Sequence, residues 1–244
     1  MKILVPAIPL ALVVTFSLTA AQRLCGQYDE IVLPPYTVYN SLWGQADDPN
    51  GIQCTEATRI SDKTIAWTTD FNWAGNPNQA KSFAIVALSF TPVQMSQVTS
   101  MPTEIEYEYE SVDKTLVANV AYDMFLSSSS DGETYTYEVK VWLTTFGIIA
   151  PFVEDPMNPI LANVTVAGVN FKLYRGMDSN VTVFTYVATA NINRFNGDFK
   201  EFFTNLPDAK RLNDQYLVDA MAGTEPSHGK AKLIVSKYSL AIIS

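Results

Sequence analysis

Beyond an apolar N-terminal stretch, the chain alternates between polar and apolar positions. In Glu104-Ile105-Glu106-Tyr107-Glu108-Tyr109-Glu110 the glutamates fall on one parity and Ile105, Tyr107 and Tyr109 on the other, which is the period of a strand with one solvated face. The stretch 82–90 is apolar on both parities and reads as a strand buried on both faces. The same reasoning predicts strands over 64–68, 116–125, 135–145, 164–174, 181–189, 215–223 and 232–243. One segment has helical spacing: Phe199, Phe202, Phe203 and Leu206 lie at i, i+3, i+4 and i+7 after a capping-competent Asn196, and Pro207 halts the run. The serine run 127–130 followed by Asp131-Gly132 reads as a turn. Many strands and one short helix predict an all-β sandwich of two antiparallel sheets. The 244 residues show no internal repeat and no low-complexity linker, so a single domain is expected.

The first residues carry a different signal. Lys2, the apolar stretch 3–18 and the small residues Thr19-Ala20-Ala21 have the layout of a secretory signal peptide over 1–21. A lone membrane helix fits less well, because Pro6 and Pro9 interrupt an already short run. The expectation is a secreted, extracellular protein over 22–244. Cys25 and Cys54 are the two cysteines of the chain, and in an oxidising compartment they would pair with each other. Asn163-Val164-Thr165 and Asn180-Val181-Thr182 are glycosylation sequons. A formal net charge of −9 argues against nucleic acid or an anionic membrane surface as partner, since both select clustered Lys and Arg. Neither a metal nor an organic cofactor is implied, and a monomer is expected.

The candidate chemistry lies in two glutamates. In the 135–145 strand, alternation puts Thr136, Glu138, Lys140, Trp142 and Thr144 on one face, and Tyr137, Val139, Val141 and Leu143 on the other, core-facing side. Taken alone, Glu138 reads most simply as a surface glutamate paired with Lys140. Glu225 precedes Pro226, which suggests a strand end or edge. Asp123 shares a strand face with Asn119 and Ala121. The lone histidine, His228, has no Cys or Asp cluster beside it and reads as a solvated loop residue.

Seven ordered blocks change the weight of these readings. Tyr137-Glu138-Val139-Lys140-Val141-Trp142-Leu143 and Gly223-Thr224-Glu225-Pro226 resemble the two catalytic strands of glycoside hydrolase family 12. Cys25-Gly26-Gln27-Tyr28-Asp29, Tyr39-Asn40-Ser41-Leu42-Trp43-Gly44, Ala121-Tyr122-Asp123-Met124-Phe125, Phe171-Lys172-Leu173-Tyr174 and Phe195-Asn196-Gly197-Asp198-Phe199 are similar to further family segments, in the same order. The resemblance implies a β-jelly roll with a concave substrate cleft and a secreted endo-β-1,4-glucanase of xyloglucan or cellulose-type chains. Plant cell-wall β-glucan would be the partner. It also implies Glu138 as nucleophile, Glu225 as acid/base and Asp123 as an assisting carboxylate, with Tyr28, Trp43 and Trp142 contacting sugar. Two departures stand out: Lys140 replaces the family's usual Met and Ser227 its usual Phe. Lys140 could approach Glu138 and hinder it, or turn toward Asp123 or a substrate hydroxyl and support binding. An alternative function is therefore a catalytically impaired glucan-binding paralogue or decoy.

Overall fold

A computed structural model describes residues 22–61, 63–207 and 209–244; the signal segment expected over 1–21 lies outside them. Fifteen strands occur among the described residues: β1 (Arg23–Leu24), β2 (Glu30–Leu33), β3 (Tyr36–Tyr39), β4 (Ile52–Ser61), β5 (Thr64–Trp73), β6 (Ala84–Leu88), β7 (Val93–Gln94), β8 (Pro102–Glu110), β9 (Val117–Ser127), β10 (Tyr135–Phe146), β11 (Ala162–Val166), β12 (Val169–Asp178), β13 (Val181–Ala188), β14 (Arg194–Asp198) and β15 (Tyr216–Leu240). Helices α1 (Lys200–Thr204) and α2 (Ala209–Leu212) precede the last strand.

The strands form a two-layer jelly-roll sandwich. One layer, the cleft sheet, runs β2-β3-β6-β15-β9-β10-β13-β12-β11, with β7 pairing β15 near its start. The outer layer places β5 and β8 on β15, extended by β4 and β1 on one side and β14 on the other. A single strand thus serves both layers. Tyr216 to His228 of β15 pair in the cleft sheet, and from Gly229 onward the strand pairs in the outer sheet. At the crossover Gly229 has φ +90°, and a Cβ there would come within 2.8 Å of the Leu116 backbone, so the bend requires glycine. Apolar side chains of both layers fill the space between them, among them Ile65, Trp67, Val120, Tyr122, Val139, Val141, Tyr186, Leu233 and Tyr238, all essentially buried. The predicted apolar faces of β8 and β10 are part of this core, as is the Phe199, Phe202, Phe203 and Leu206 stripe.

Several expectations need correction. The segments expected as separate strands over 215–223 and 232–243 belong to one strand, which runs through Pro226. The expected strand 164–174 is a hairpin, because Ala167 (φ 48°) and Gly168 (φ 78°) form a two-residue turn with both φ angles positive. The sheets are not wholly antiparallel: β10 and β13 run parallel, since the chain crosses to the β11–β12 edge before returning. The helical stripe is interrupted after Thr204 and a second short helix follows Pro207. Asn196 lies in β14, and it is Asp198 that accepts from the Lys200 N–H at 2.9 Å. The expected disulfide is present, joining Cys25 beside β1 to Cys54 in β4. Among the described residues no helix is long and apolar enough to cross a membrane.

Candidate active site

Three adjacent strands of the cleft sheet bring the carboxylates together. Asp123 in β9 is the direct cross-strand partner of Lys140 in β10, while Glu138 lies two residues away on the same face, opposite Phe125. Glu225 enters from β15, on the other side of β9, opposite Asn119. Asn119 holds it twice: Nδ2 donates to Glu225 Oε2 at 2.7 Å and Oδ1 accepts from the Glu225 N–H at 3.2 Å. Small residues floor this part of the sheet, with Ala121 opposite both Trp142 and Gly223. Long side chains from either flank can therefore converge above it.

Lys140 is the hub of the convergence. Its Nζ donates to Asp123 Oδ2 and Glu138 Oε1, both at 2.9 Å, and to Glu225 Oε1 at 3.4 Å. The two alternatives for its direction are thus both realised, because one ammonium contacts Glu138 and Asp123 together. The contacted oxygens of Glu138 and Glu225 can be no farther apart than those two contacts laid end to end. Asp123, Glu138 and Lys140 are all buried. Burial pushes the Asp123 carboxyl well above the ordinary carboxylate range; the ammonium opposes this, and the neighbouring Glu138 and Glu225 reinforce it. For Lys140 burial acts downward, but the three carboxylates outweigh it and hold the ammonium well above the ordinary lysine value. The cluster therefore keeps a fixed positive charge at its centre and favours a proton on Asp123. Among the described residues no group of His, Cys, Asp and Glu is arranged to hold a metal ion.

The cluster opens into a hollow of about 490 Å³, lined by Trp43, Phe83, Phe125, Trp142, Ile149 and Phe152 along with the charged groups. Trp43 is 52% exposed there, so it offers a ring face at the rim. Trp142 shares the strand face of Glu138 as predicted and is a buried residue of the hollow's lining. Three buried polar atoms of the lining residues, Asp123 Oδ1, Trp142 Nε1 and Thr185 Oγ1, have no hydrogen-bond partner within the protein. Tyr28 does not line this hollow. It stands 73% exposed on a loop tied to Leu42 by reciprocal contacts of Gln27, one residue from Trp43. Ile149 lines the hollow and Ile148 is exposed, so the loop after β10 shapes one wall. A hollow of similar size, about 520 Å³, lies on the outer sheet. There Glu106 is tied to Arg194 at 3.1 Å and no tryptophan is present, so size alone does not mark the site.

Three local readings change. Leu143 is bulged out of the β9 register, which turns Thr144 away from the cleft; its hydroxyl contacts Tyr107 of the outer sheet at 2.7 Å. Pro226 lies within a long strand rather than at its end, beside a bulge at Ser227. His228 is a half-buried strand residue opposite Val117, not a solvated loop residue. Asn119 and Thr185 were not singled out from the sequence. Asn119 was visible as a face-mate of Asp123, but its pairing with Glu225 depends on strand order that alternation does not reveal.

The comparisons agree with this geometry. Residues 34–243 match Glycosyl hydrolase family 12. A "Probable xyloglucan-specific endo-beta-1,4-glucanase A" of Aspergillus fumigatus is 42% identical over 225 residues, covering 91% of this chain and 92% of the relative. A Phytophthora nicotianae protein named as an inactive glycoside hydrolase is 38% identical over 244 residues, covering 99% and 100%. Among solved structures, endoglucanase 3 of Trichoderma harzianum, from the same family, superposes with a TM-score of 0.84 at 29% identity, covering 93% of this chain and 100% of that one. With the family match over residues 34–243 and the sandwich and nearly the whole length in common, the chain belongs to glycosyl hydrolase family 12.

Proposed function

We propose that the chain is a secreted endo-acting β-1,4-glucanase that cleaves xyloglucan or cellulose-type glucan with retention of configuration. The observation that carries this reading is the bridging of Glu138 and Glu225 oxygens by a single ammonium, at 2.9 and 3.4 Å. Such proximity suits direct attack by one carboxyl while the other serves as acid. In the first step the Glu138 carboxylate bonds to the anomeric carbon, the glycosidic C–O bond breaks, and Glu225 transfers its proton to the leaving oxygen. In the second, Glu225 takes a proton from water as that water's oxygen bonds to the anomeric carbon and Glu138 departs. Asp123, favouring its proton, limits the negative charge around the nucleophile. Trp43 and Trp142 offer apolar ring faces for sugar C–H faces, and Tyr28 extends the rim. The name of the Aspergillus relative supports xyloglucan as the preferred chain. Removal of 1–21 during secretion is part of the proposal, and exposed Asn163 and Asn180 are accessible to glycosylation.

A second reading, a glucan-binding protein with impaired turnover, is favoured by the ammonium lodged against both glutamates and by the relative named as inactive. A reducing-sugar assay of purified 22–244 on xyloglucan, barley β-glucan and carboxymethyl-cellulose separates the two. Hydrolysis abolished by Glu138→Gln supports the enzyme. Binding to xyloglucan with no product at high enzyme concentration supports the impaired form.

A further inference from the structure

We propose that Lys81, a lysine outside the carboxylate cluster, is a positioning residue for Glu225; this rests on the reading of Glu225 as the acid. Between Thr224, the last residue that β6 pairs, and Gly229, the first that β5 pairs, β15 has only β9 as a strand partner. Glu225 sits in this half-supported stretch, next to the bulge at Ser227. Lys81 supplies the missing contacts. Its backbone N–H donates to the Pro226 carbonyl at 2.9 Å and its Nζ to the Ser227 carbonyl at 3.0 Å.

The ammonium is anchored from other directions as well. It donates to the Asn76 and Gln79 carbonyls at 2.8 and 2.7 Å and pairs with Asp47 Oδ2 at 2.9 Å. The Lys81 side chain has no solvent exposure. A buried ammonium with every proton satisfied is a rigid, directional support, whereas a surface lysine is not. The same contacts hold the rim segment Asn78-Gln79-Ala80, which lines the hollow. They also hold the turn after Trp43, where the Gly44 N–H donates to the Lys81 carbonyl at 2.9 Å. A Cβ on Gly44 would come within 2.2 Å of the Ala80 carbonyl oxygen, so these segments meet at a fixed distance. Asn119 fixes Glu225 from the β9 side and Lys81 fixes its strand from elsewhere; proton delivery to the leaving oxygen depends on both.

The test is leaving-group dependence. Aryl glycosides of one cello-oligosaccharide, with phenols from dinitrophenol to unsubstituted phenol, share the same glycone; only the poorer leaving groups need acid assistance in glycosylation. For Lys81→Met, kcat/KM should fall roughly 10- to 100-fold on the phenyl glycoside, as expected for an acid displaced by about an ångström, and less than about threefold on the dinitrophenyl glycoside. Asp47→Asn, which retains the lysine but removes its counter-charge, should show the same split at smaller amplitude. It decides the matter if Lys81→Met does not fold. Glu225→Gln is the control and should show the largest split. Equal losses on all leaving groups in the Lys81 and Asp47 variants, with the split present in Glu225→Gln, would overturn the role of Lys81 alone. No split in Glu225→Gln, or a wild type inactive on every glycoside, would overturn the acid assignment and this proposal with it.

Discussion

Replacing Lys140 by Met tests the electrostatics of the cluster most sharply. Unit charges at 2.9 to 3.4 Å in surroundings of effective dielectric near 20 attract by on the order of 5 kcal/mol. Bonding of Glu138 to the anomeric carbon removes its negative charge, so a transition state about halfway along loses about half of that attraction. Glu225 gains charge as it gives up its proton, and its attraction to the same ammonium returns part of the loss. The Glu138 contact is the shorter one, so the balance opposes reaction by about 0.4 kcal/mol, equivalent to roughly twofold in rate. Only the difference between ground and transition state counts. Lys140→Met should therefore raise kcat/KM on xyloglucan about twofold, measured by reducing-sugar release alongside thermal melting and circular dichroism. Removing a buried counter-charge is itself destabilising, commonly by about 3 to 5 kcal/mol, but protonation of Asp123 relieves part of the repulsion left behind. A variant with native circular dichroism and lowered kcat/KM would refute the reasoning and make Lys140 a contributor to binding or orientation.

Three further outcomes follow from the same geometry. Glu138→Gln and Glu225→Gln should each lose at least about 10³-fold in xyloglucan hydrolysis with native circular dichroism; near-wild-type rates in either would remove that residue from the mechanism. Asp123, raised by burial, contributes stability that is fully present below the ordinary carboxylate value and is lost as pH rises through its folded value. Melting curves of Asp123→Asn should therefore gain on those of the wild type from about pH 4 toward neutrality, and parallel curves would contradict the shift. Trp43→Ala should raise KM for xyloglucan oligosaccharides roughly fivefold with kcat little changed, as loss of one stacking face of about 1 kcal/mol implies; an unchanged KM would place Trp43 outside the binding path.

Alternation revealed the sandwich because each half-buried strand must present one apolar face, and β8 does so nearly residue by residue. It failed where backbone geometry departs from a period of two. The bulge at Leu143 reversed the assignment of Thr144, and the positive φ angles of Ala167 and Gly168 divided what read as one strand. Pro226 looked like a terminus, yet β15 passes through it at the place where neither β6 nor β5 pairs with it. Glu138, Asp123 and Glu225 were legible through ordered motifs. The convergence of all three on Lys140 was not, because it depends on β15 and β10 flanking β9, a long-range order that no local pattern encodes. The role of Lys81 was not legible, because its support of the Glu225 strand connects residues 146 apart in sequence.

The central claim is that Glu138 attacks the anomeric carbon with Glu225 as its acid/base partner. A dinitrophenyl 2-deoxy-2-fluoro-cello-oligosaccharide tests it directly, since the fluorine slows both formation and breakdown of a glycosyl-enzyme while the activated leaving group speeds its formation, so that the intermediate accumulates. Intact-protein mass spectrometry of 22–244 after incubation should show one added glycosyl unit, and peptide mapping should place it on Glu138, with no label in Glu138→Gln. Absence of a covalent adduct despite measurable hydrolysis, or an adduct on another residue, would contradict the account.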